Sequence, residues 1–365
     1  MACGRKPLCA SASSRCVAPG FIMASMTVPS IAARRRLGRT GPEVFPLGLG
    51  CMAMSGVYGP ADRAECIATI HEALDAGVDL LDTGDYYGMG HNELLLAEAL
   101  REVPRERLRI SVKFGSLRDV DGNWLGSDGR PVAVKTFLAY TLRRLNTDYV
   151  DFYRLGRVDP AVPIEDTVGA ISEMIAKGHV RHVGLSEAGP QTVRRAHAVH
   201  PVADLQIEYS LFSRGIEAAI LPACRELGVG VTAYGVLSRG VLSGHWTPQR
   251  ATAAGDMRAF MPRYRADNLR DNLRLVEALR AIAAARGATV AQLAFAWVLS
   301  RGTDIVPLIG ARRREQLTES LGSLALSLEA EEITAIERAA PVGAVAGSRY
   351  PDPVLAELDS ERSIR

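Results

Sequence analysis

The sequence predicts an α/β protein folded as one closed (β/α)8 barrel, the TIM-barrel architecture. Short apolar runs of strand length alternate with amphipathic stretches of helix length, and they count out to eight strand–helix units. Two of the apolar runs stop on a lone ionisable residue, Asp82 and Lys113, which places that charge at the C-terminal edge of a buried strand. With 365 residues, 47% of them hydrophobic, the chain can bury a core large enough for one barrel or for two smaller domains.

From Arg36 onward the units follow in order. Glu43–Gly50 reads as the first strand. Ala61–Ala76 follows as a helix with Ile67, Ile70 and Leu74 on one face and Gly77 as its stop. Val78–Leu81 is the second strand, ending at Asp82, with a helix near Asn92–Val103. Leu108–Gly115 carries Lys113, and the helix Val132–Leu145 keeps Val134, Leu138, Thr141 and Leu145 in register. Tyr149–Arg154 comes next, followed by the helix Ile164–Lys177, which stops at Gly178. Val180–Ser186, Gln191–Val199, Ala203–Tyr209 and Ile216–Leu227 supply two further units. Val229–Tyr234 opens on a long loop, Gly235–Asp267, and the helices Leu269–Arg286 and Val290–Ser300 precede the last strand, Asp304–Ile309. A helix begins at Arg314.

Residues 1–35 stand apart as an N-terminal extension expected to be disordered, with 36–340 as the barrel and 341–365 as a C-terminal tail. The first 42 residues hold seven Lys/Arg and no acid, as an organelle transit peptide does. A non-native start upstream of Met23 or Met26 is the favoured reading, because a more ordinary sequence follows those residues. The remainder carries 36 basic against 41 acidic residues, a net of −5, so the overall +2 comes from the extension. Neither nucleic acid nor an anionic membrane is an expected partner. No apolar run approaches the ~20 residues that span a bilayer, and a cytoplasmic location is expected. Cys3, Cys9, Cys16, Cys51, Cys66 and Cys224 show neither CxxC nor Cys/His spacing, so buried free thiols are expected rather than disulfides or a zinc site; no metal is expected.

The chemistry concentrates at Gly77–Gly88, reading GVDLLDTGDYYG. Asp82 at a strand mouth is followed five residues on by Tyr87, within a run of turn formers. A phenol titrates near pH ~10, so it gives up a proton at neutral pH only where a cation stabilises the phenolate, and that cation needs a carboxylate to hold it. Asp82, Tyr87 and Lys113 form such a set if the fold brings the two strand ends together.

Gly48-Leu49-Gly50-Cys51-Met52-Ala53 matches the dinucleotide fingerprint G-x-G-x-x-A, but Met54–Pro60 is loop-like and no helix opens there. Gly50 and Met52 therefore read as a strand mouth open to a ligand ring. A phosphate site is better placed at Gly310-Ala311-Arg312-Arg313-Arg314, where a helix starts after the eighth strand. Three arginines at a helix start oppose the helix dipole, so they are expected to have another task.

Several motifs fall in one order and spacing: Asp82-Thr83-Gly84-Asp85-Tyr86-Tyr87-Gly88, Ser111-Val112-Lys113-Phe114-Gly115, Gly184-Leu185-Ser186, Gln206-Ile207-Glu208-Tyr209-Ser210-Leu211 and Gln316-Leu317-Thr318-Glu319-Ser320. Together they resemble the aldo-keto reductase superfamily from about Arg36 to Ala340. The resemblance implies NADPH bound in extended form and hydride transfer to a small-molecule aldehyde or ketone. It implies Tyr87 as general acid, tuned by Lys113 and Asp82. Ser186 and Gln206 are implied to hold the nicotinamide carboxamide, Tyr234 to stack on the ring, and Leu237, Ser238 and Gly240 to line the pyrophosphate. Arg312, Gln316 and Glu319 are implied at the adenosine end, with Arg312 near the 2′-phosphate.

Three positions depart from the pattern. Glu187 and Ser320 stand where the family often has asparagine, and Gly156 stands where it has its catalytic histidine. Gly156 is expected to leave extra room in the substrate pocket beside Tyr87, with His91 a candidate substitute. The segments Arg194–Val199 and Glu208–Arg214 resemble the pyridoxal reductase branch. A second functional class is a cofactor-binding redox sensor like the potassium-channel β-subunits of the same superfamily, which the loss of the histidine would suit.

Overall fold

In the computed structural model, which describes residues 1–2, 33–247, 249, 250, 252 and 255–362, eight parallel strands close into a barrel. They are β1 (Gly48–Gly50), β2 (Leu80–Gly84), β3 (Arg109–Phe114), β4 (Val150–Leu155), β5 (Val180–Ser186), β6 (Val202–Glu208), β7 (Gly230–Tyr234) and β8 (Ile305–Gly310). Each pairs with its neighbours in chain order, and β8 returns to β1 through Leu308–Gly48, Ile309–Leu49 and Gly310–Gly50. Helices α1 (Arg63–Asp75), α2 (His91–Ala99), α3 (Pro131–Leu145), α4 (Ile164–Ala176), α5 (Pro190–Val199) and α6 (Ile220–Leu227) follow the first six strands. Next come α7 (Ala266–Ala285), α8 (Val290–Ser300), α9 (Arg314–Leu321) and α10 (Ala330–Ala339). The eight-unit count and the glycine stops hold: Gly77 and Gly178, just past α1 and α4, have positive φ, and Gly228 does the same as the C-cap of α6.

The first strand differs from expectation. Pro46 interrupts Glu43–Gly50, since a proline cannot donate to a central ladder. Glu43–Val44 instead pairs antiparallel with Arg35–Arg36, a hairpin whose Leu37 and Val44 pack with Leu80, Phe152, Ala203, Val306 and Leu308 inside the barrel. Arg35 donates to the carbonyls of Leu299, Gly302 and Ile305, tying the hairpin to the strand-8 side. Ser116–Arg118 and Trp124–Ser127 form a second hairpin between β3 and α3. The anticipated free thiols Cys51, Cys66 and Cys224 are buried and unpaired, while Cys3, Cys9 and Cys16 and most of the N-terminal extension lie outside the described residues. Among the described residues no single helix is long and apolar enough to cross a membrane.

Charge is buried deep in the barrel. Arg154 on β4 is wholly inaccessible and binds Asp204 of β6 through Nε and Nη2, while Thr232 of β7 also donates to Asp204. Sequence placed Arg154 at a strand end; the strand instead continues to Leu155 with the guanidinium inside. Gly184 on the adjacent β5 makes the room: a Cβ there would lie 2.5 Å from Arg154 Cγ and 2.9 Å from Asp204 Oδ1. Arg154→Met would leave the Asp204 carboxylate buried without its cation, which costs about 3–5 kcal/mol. Urea unfolding should report a loss of that size, and Arg154→Met/Asp204→Leu should recover much of it.

Candidate active site

The strands deliver polar side chains to the C-terminal mouth, and Asp82 is the residue they converge on. In register, Asp82 faces Ser111 of β3. Its Oδ1 accepts from Ser111 Oγ at 2.9 Å, Gln206 Nε2 at 2.7 Å and Arg154 Nη1 at 3.2 Å. Its Oδ2 accepts from Lys113 Nζ at 2.5 Å. Donors from β3, β4 and β6 therefore meet on one carboxylate that is 4% exposed. Burial holds the Lys113 ammonium below its ordinary range, opposed by Asp82 and reinforced by Arg154.

Tyr87 sits above this pair. The turn after β2 is closed by Tyr87 N donating to Gly84 O at 3.0 Å, and Asn92 N caps it from α2 by donating to Tyr87 O at 3.2 Å. Asn92 also donates to Cys51 O and Ser55 Oγ and accepts from Thr83, which anchors the loop to the β1 side. Lys113 Nζ lies 5.1 Å from the Tyr87 ring centroid. The fold thus brings Asp82, Tyr87 and Lys113 together. Burial, then Tyr86 and Asp82, push the Tyr87 phenol well above its ordinary value, against the pull of Arg157, so the resting phenol keeps its proton.

The room expected beside Gly156 is already filled. A Cβ at Gly156 would meet Phe114 O at 3.1 Å and both Cε1 and OH of Tyr86 at 3.3 Å, so the Tyr86 phenol lies in the shell an imidazole at 156 would occupy. The Tyr86 and Tyr87 rings meet edge to face with centroids 5.0 Å apart. Burial pushes the Tyr86 phenol up to about 12, with Arg157 opposing. His91 is turned aside: its Nδ1 pairs with Ser55 Oγ at 3.0 Å on the exposed side of α2.

Around the rim, the remaining sequence candidates divide. Ser186 Oγ is buried with no hydrogen-bond partner among the described residues, an acceptor-donor left open for a ligand. Gln206 spends its amide N–H on Asp82, which leaves its oxygen as the available acceptor. Ser238, Arg239 and Gly240 follow one another with φ of 47°, 56° and 114°, a left-handed run in which Ser238 N donates to Gly235 O at 2.7 Å and Gly240 N to Leu237 O at 2.8 Å. A Cβ on Gly310 would meet nothing within 4 Å, and on Gly50 would meet only Ile309 O and Leu308 Cβ beyond 3.5 Å, so both keep space open at the β8–β1 edge. Met52 begins a short 3-10 turn, Met52–Ser55, rather than the helix a dinucleotide fingerprint needs.

At the start of α9, Arg314 pairs with Glu65 of α1, whose carboxylate also accepts Arg314 N. That explains one arginine of the three, since the acid offsets the helix dipole. Arg312 donates to the carbonyls of Tyr58 and Gly59, and burial followed by the neighbouring guanidiniums of Arg258 and Arg313 holds it below its ordinary value. Gln316 Oε1 accepts Arg312 N at 3.2 Å. Glu319 faces His245 at 3.1 Å, and Ser320 bonds back to Gln316 O.

The C-terminal segment is what sequence reasoning missed. Arg349 binds Glu187 at 2.5 Å and Glu361 at 2.8 Å, and Ser360 donates to Glu187 at 2.7 Å. Tyr234 OH, expected only as part of a stacking face, donates to Glu187 at 2.8 Å and lies 3.1 Å from Tyr350 OH. Asp359 accepts Gly189 N at 2.7 Å. Glu187, at a position usually given to asparagine, is therefore an anchor for this strap, and Arg349 with neighbouring arginines draws its carboxyl down to about 2 despite burial. Nothing in the local sequence of 341–365 signals this; the isolated positive φ of Glu187 is visible only in three dimensions.

Comparison with known proteins agrees with the geometry. The pattern of the Aldo/keto reductase family matches residues 46–341. A probable aldo-keto reductase of Glycine max is 41% identical over 316 residues, covering 86% of this chain and 91% of its own. The glycerol dehydrogenase of Gluconobacter oxydans superposes with a TM-score of 0.77 at 28% identity, covering 84% of this chain and 95% of that one. An aldo-keto reductase of Bacillus halodurans, solved in its holo form, superposes at 0.70 with 27% identity over 85% of this chain and 97% of its own. A (β/α)8 barrel with a carboxylate, a lysine and a tyrosine gathered at its C-terminal mouth, matched over most of its length, belongs to the aldo/keto reductase family of carbonyl-reducing oxidoreductases.

Proposed function

We propose that this protein reduces an aldehyde or ketone to the alcohol with NADPH, Tyr87 supplying the proton. The observation that carries the reading is the buried Lys113–Asp82 pair seated beneath the Tyr87 ring. NADPH, when bound, supplies the hydride. Tyr87 rests protonated and can donate a hydrogen bond to a carbonyl oxygen; as that oxygen gains charge, the proton moves from the phenol to it. The phenolate left behind lies in the field of Lys113, and Asp82 keeps that ammonium charged and in place. Ser186 Oγ and the Gln206 oxygen would hold the carboxamide, Tyr234 would offer a ring face, and the Leu237–Gly240 backbone would receive the pyrophosphate. Gly50, Met52 and Gly310 would leave room along the β1–β8 edge, and Arg312 with Gln316 would meet the 2′-phosphate, with Glu319 beside the adenosine. Buried thiols fit a reducing, cytoplasmic setting. Pyridoxal belongs in the substrate panel because two segments resemble pyridoxal reductases. NADPH oxidation over an aldehyde panel separates this reading from a sensor subunit, for which no carbonyl would turn over.

Tyr87→Phe should lower kcat by about 10²–10⁴ while leaving cofactor affinity nearly unchanged, as read by steady-state rates and fluorescence titration. Wild-type turnover in that variant would move the proton donor elsewhere.

NADPH should bind at least about tenfold more tightly than NADH, because one charge-assisted hydrogen bond to Arg312 is worth roughly 1.5–3 kcal/mol. Arg312→Ala should abolish the difference in the same titration.

Gly156 lies outside the left-handed backbone region, so a side chain is limited there only by Tyr86 and Phe114. Gly156→His alone should overpack the site, costing about 1–3 kcal/mol and lowering kcat/KM for propanal. Adding Tyr86→Ala should restore stability and raise that kcat/KM above the single variant.

A further inference from the structure

Five other guanidiniums stand at the strand ends that form the mouth, and three of them share two acids. Arg349 binds Glu187 and approaches Glu208 at 3.6 Å; Arg239 binds Glu208 at 3.0 Å; Arg263 reaches Glu208 at 3.4 Å. Arg154 lies deeper and is matched by Asp204. Arg157, two residues past the end of β4, is the exception. Its Nη1 donates to Gly156 O at 2.7 Å, and it forms no ion pair among the described residues. Its charged and polar neighbours are the phenols of Tyr86, Tyr87, Tyr234 and Tyr350, the Lys113 ammonium, and the Glu187 carboxylate, which Arg349 holds.

A part-buried guanidinium with one carbonyl partner leaves most of its N–H donors open to solvent or to a ligand. Such a group is stabilised by a carboxylate or phosphate that offers two oxygens to its planar fork. The surplus is felt by its surroundings: burial raises the Tyr350 phenol, yet Arg239 and Arg157 outweigh it and hold that phenol below its ordinary value. The cofactor is an unsuitable counter-ion. The residues fitted to its phosphates follow β7 and β8, whereas Arg157 follows β4, which lies opposite β8 in the closed strand order. Tyr86 joins Arg157 to Tyr87 through its ring, so an anion at Arg157 is on the reacting side of the mouth.

We propose that Arg157 is an anion-binding subsite and that the substrates of this enzyme are carbonyl compounds carrying a carboxylate or phosphate group. The assignment rests on the reductase reading above. The test compares 4-carboxybenzaldehyde with methyl 4-formylbenzoate, which differ in the anion alone, in wild type, Arg157→Gln and Arg157→Lys. In wild type, kcat/KM should favour the acid by about tenfold or more, chiefly through KM. That ratio should collapse in Arg157→Gln and be partly kept in Arg157→Lys. Calorimetric titration of the acid without cofactor gives a readout independent of turnover, with affinity falling about tenfold in Arg157→Gln, and matching thermal unfolding profiles show that the variants are folded. Equal kcat/KM for acid and ester in wild type, or a folded Arg157→Gln that keeps both the ratio and the affinity, would overturn the subsite. If neither aldehyde turns over yet the acid binds through Arg157, the reductase reading fails and the anion subsite stands.

Discussion

A single buried carboxylate governs the upper half of this barrel. Asp82 takes hydrogen bonds from Ser111, Lys113, Arg154 and Gln206, and those four side chains come from β3, β4 and β6. An ion so deeply buried is tolerable because both carboxylate oxygens have donors, three on Oδ1 and one on Oδ2, and those donors are held by three strands. The constraint works in both directions. The strands must close at the correct stagger for the donors to meet, and the meeting fixes Lys113 beneath the Tyr87 ring without recourse to the loop in which Tyr87 sits.

Charge then alternates upward along the barrel axis. Arg154 with Asp204 lies lowest, Asp82 with Lys113 above it, and Glu187 and Glu208 with their arginines close the mouth. Arg154 touches both lower layers, so the acid beneath the site and the acid within it share one cation. Coupled groups of this kind resist independent change, since removing one member leaves others buried and unmatched.

What the sequence disclosed follows from locality. Strands ending at Asp82 and Lys113, helices stopping at Gly77, Gly178 and Gly228, and the absence of a helix after Gly48–Ala53 all depend on a few adjacent residues. Pro46 was readable too, and its break in the first strand is the kind of signal a run-length count overlooks. The rest depends on partners far away in the chain. Gly184 reads as a small residue in an apolar strand until Arg154, thirty positions earlier, fills the space above it. Gly156 reads as a vacancy until Tyr86 is seen to occupy it. Glu187 reads as an altered cofactor contact until the C-terminal strap arrives with Arg349 and Ser360. In each case the deciding partner came from another strand, from the turn after β2 or from the tail.

The strap has a bearing on how the protein is made. Chains leave the ribosome N-terminus first at roughly 5–20 residues per second, and domains fold as their parts become available. Glu187 and Glu208 emerge with β5, β6 and their loops, but Arg349, their shared counter-ion, lies 162 residues after Glu187. Until translation is nearly finished, Glu187 lacks the arginine that pairs with it, whereas Glu208 already has Arg239 and Arg263. Fastening the strap onto Glu187 therefore waits for the last helical turns of the tail, which carry Ser360 behind Arg349.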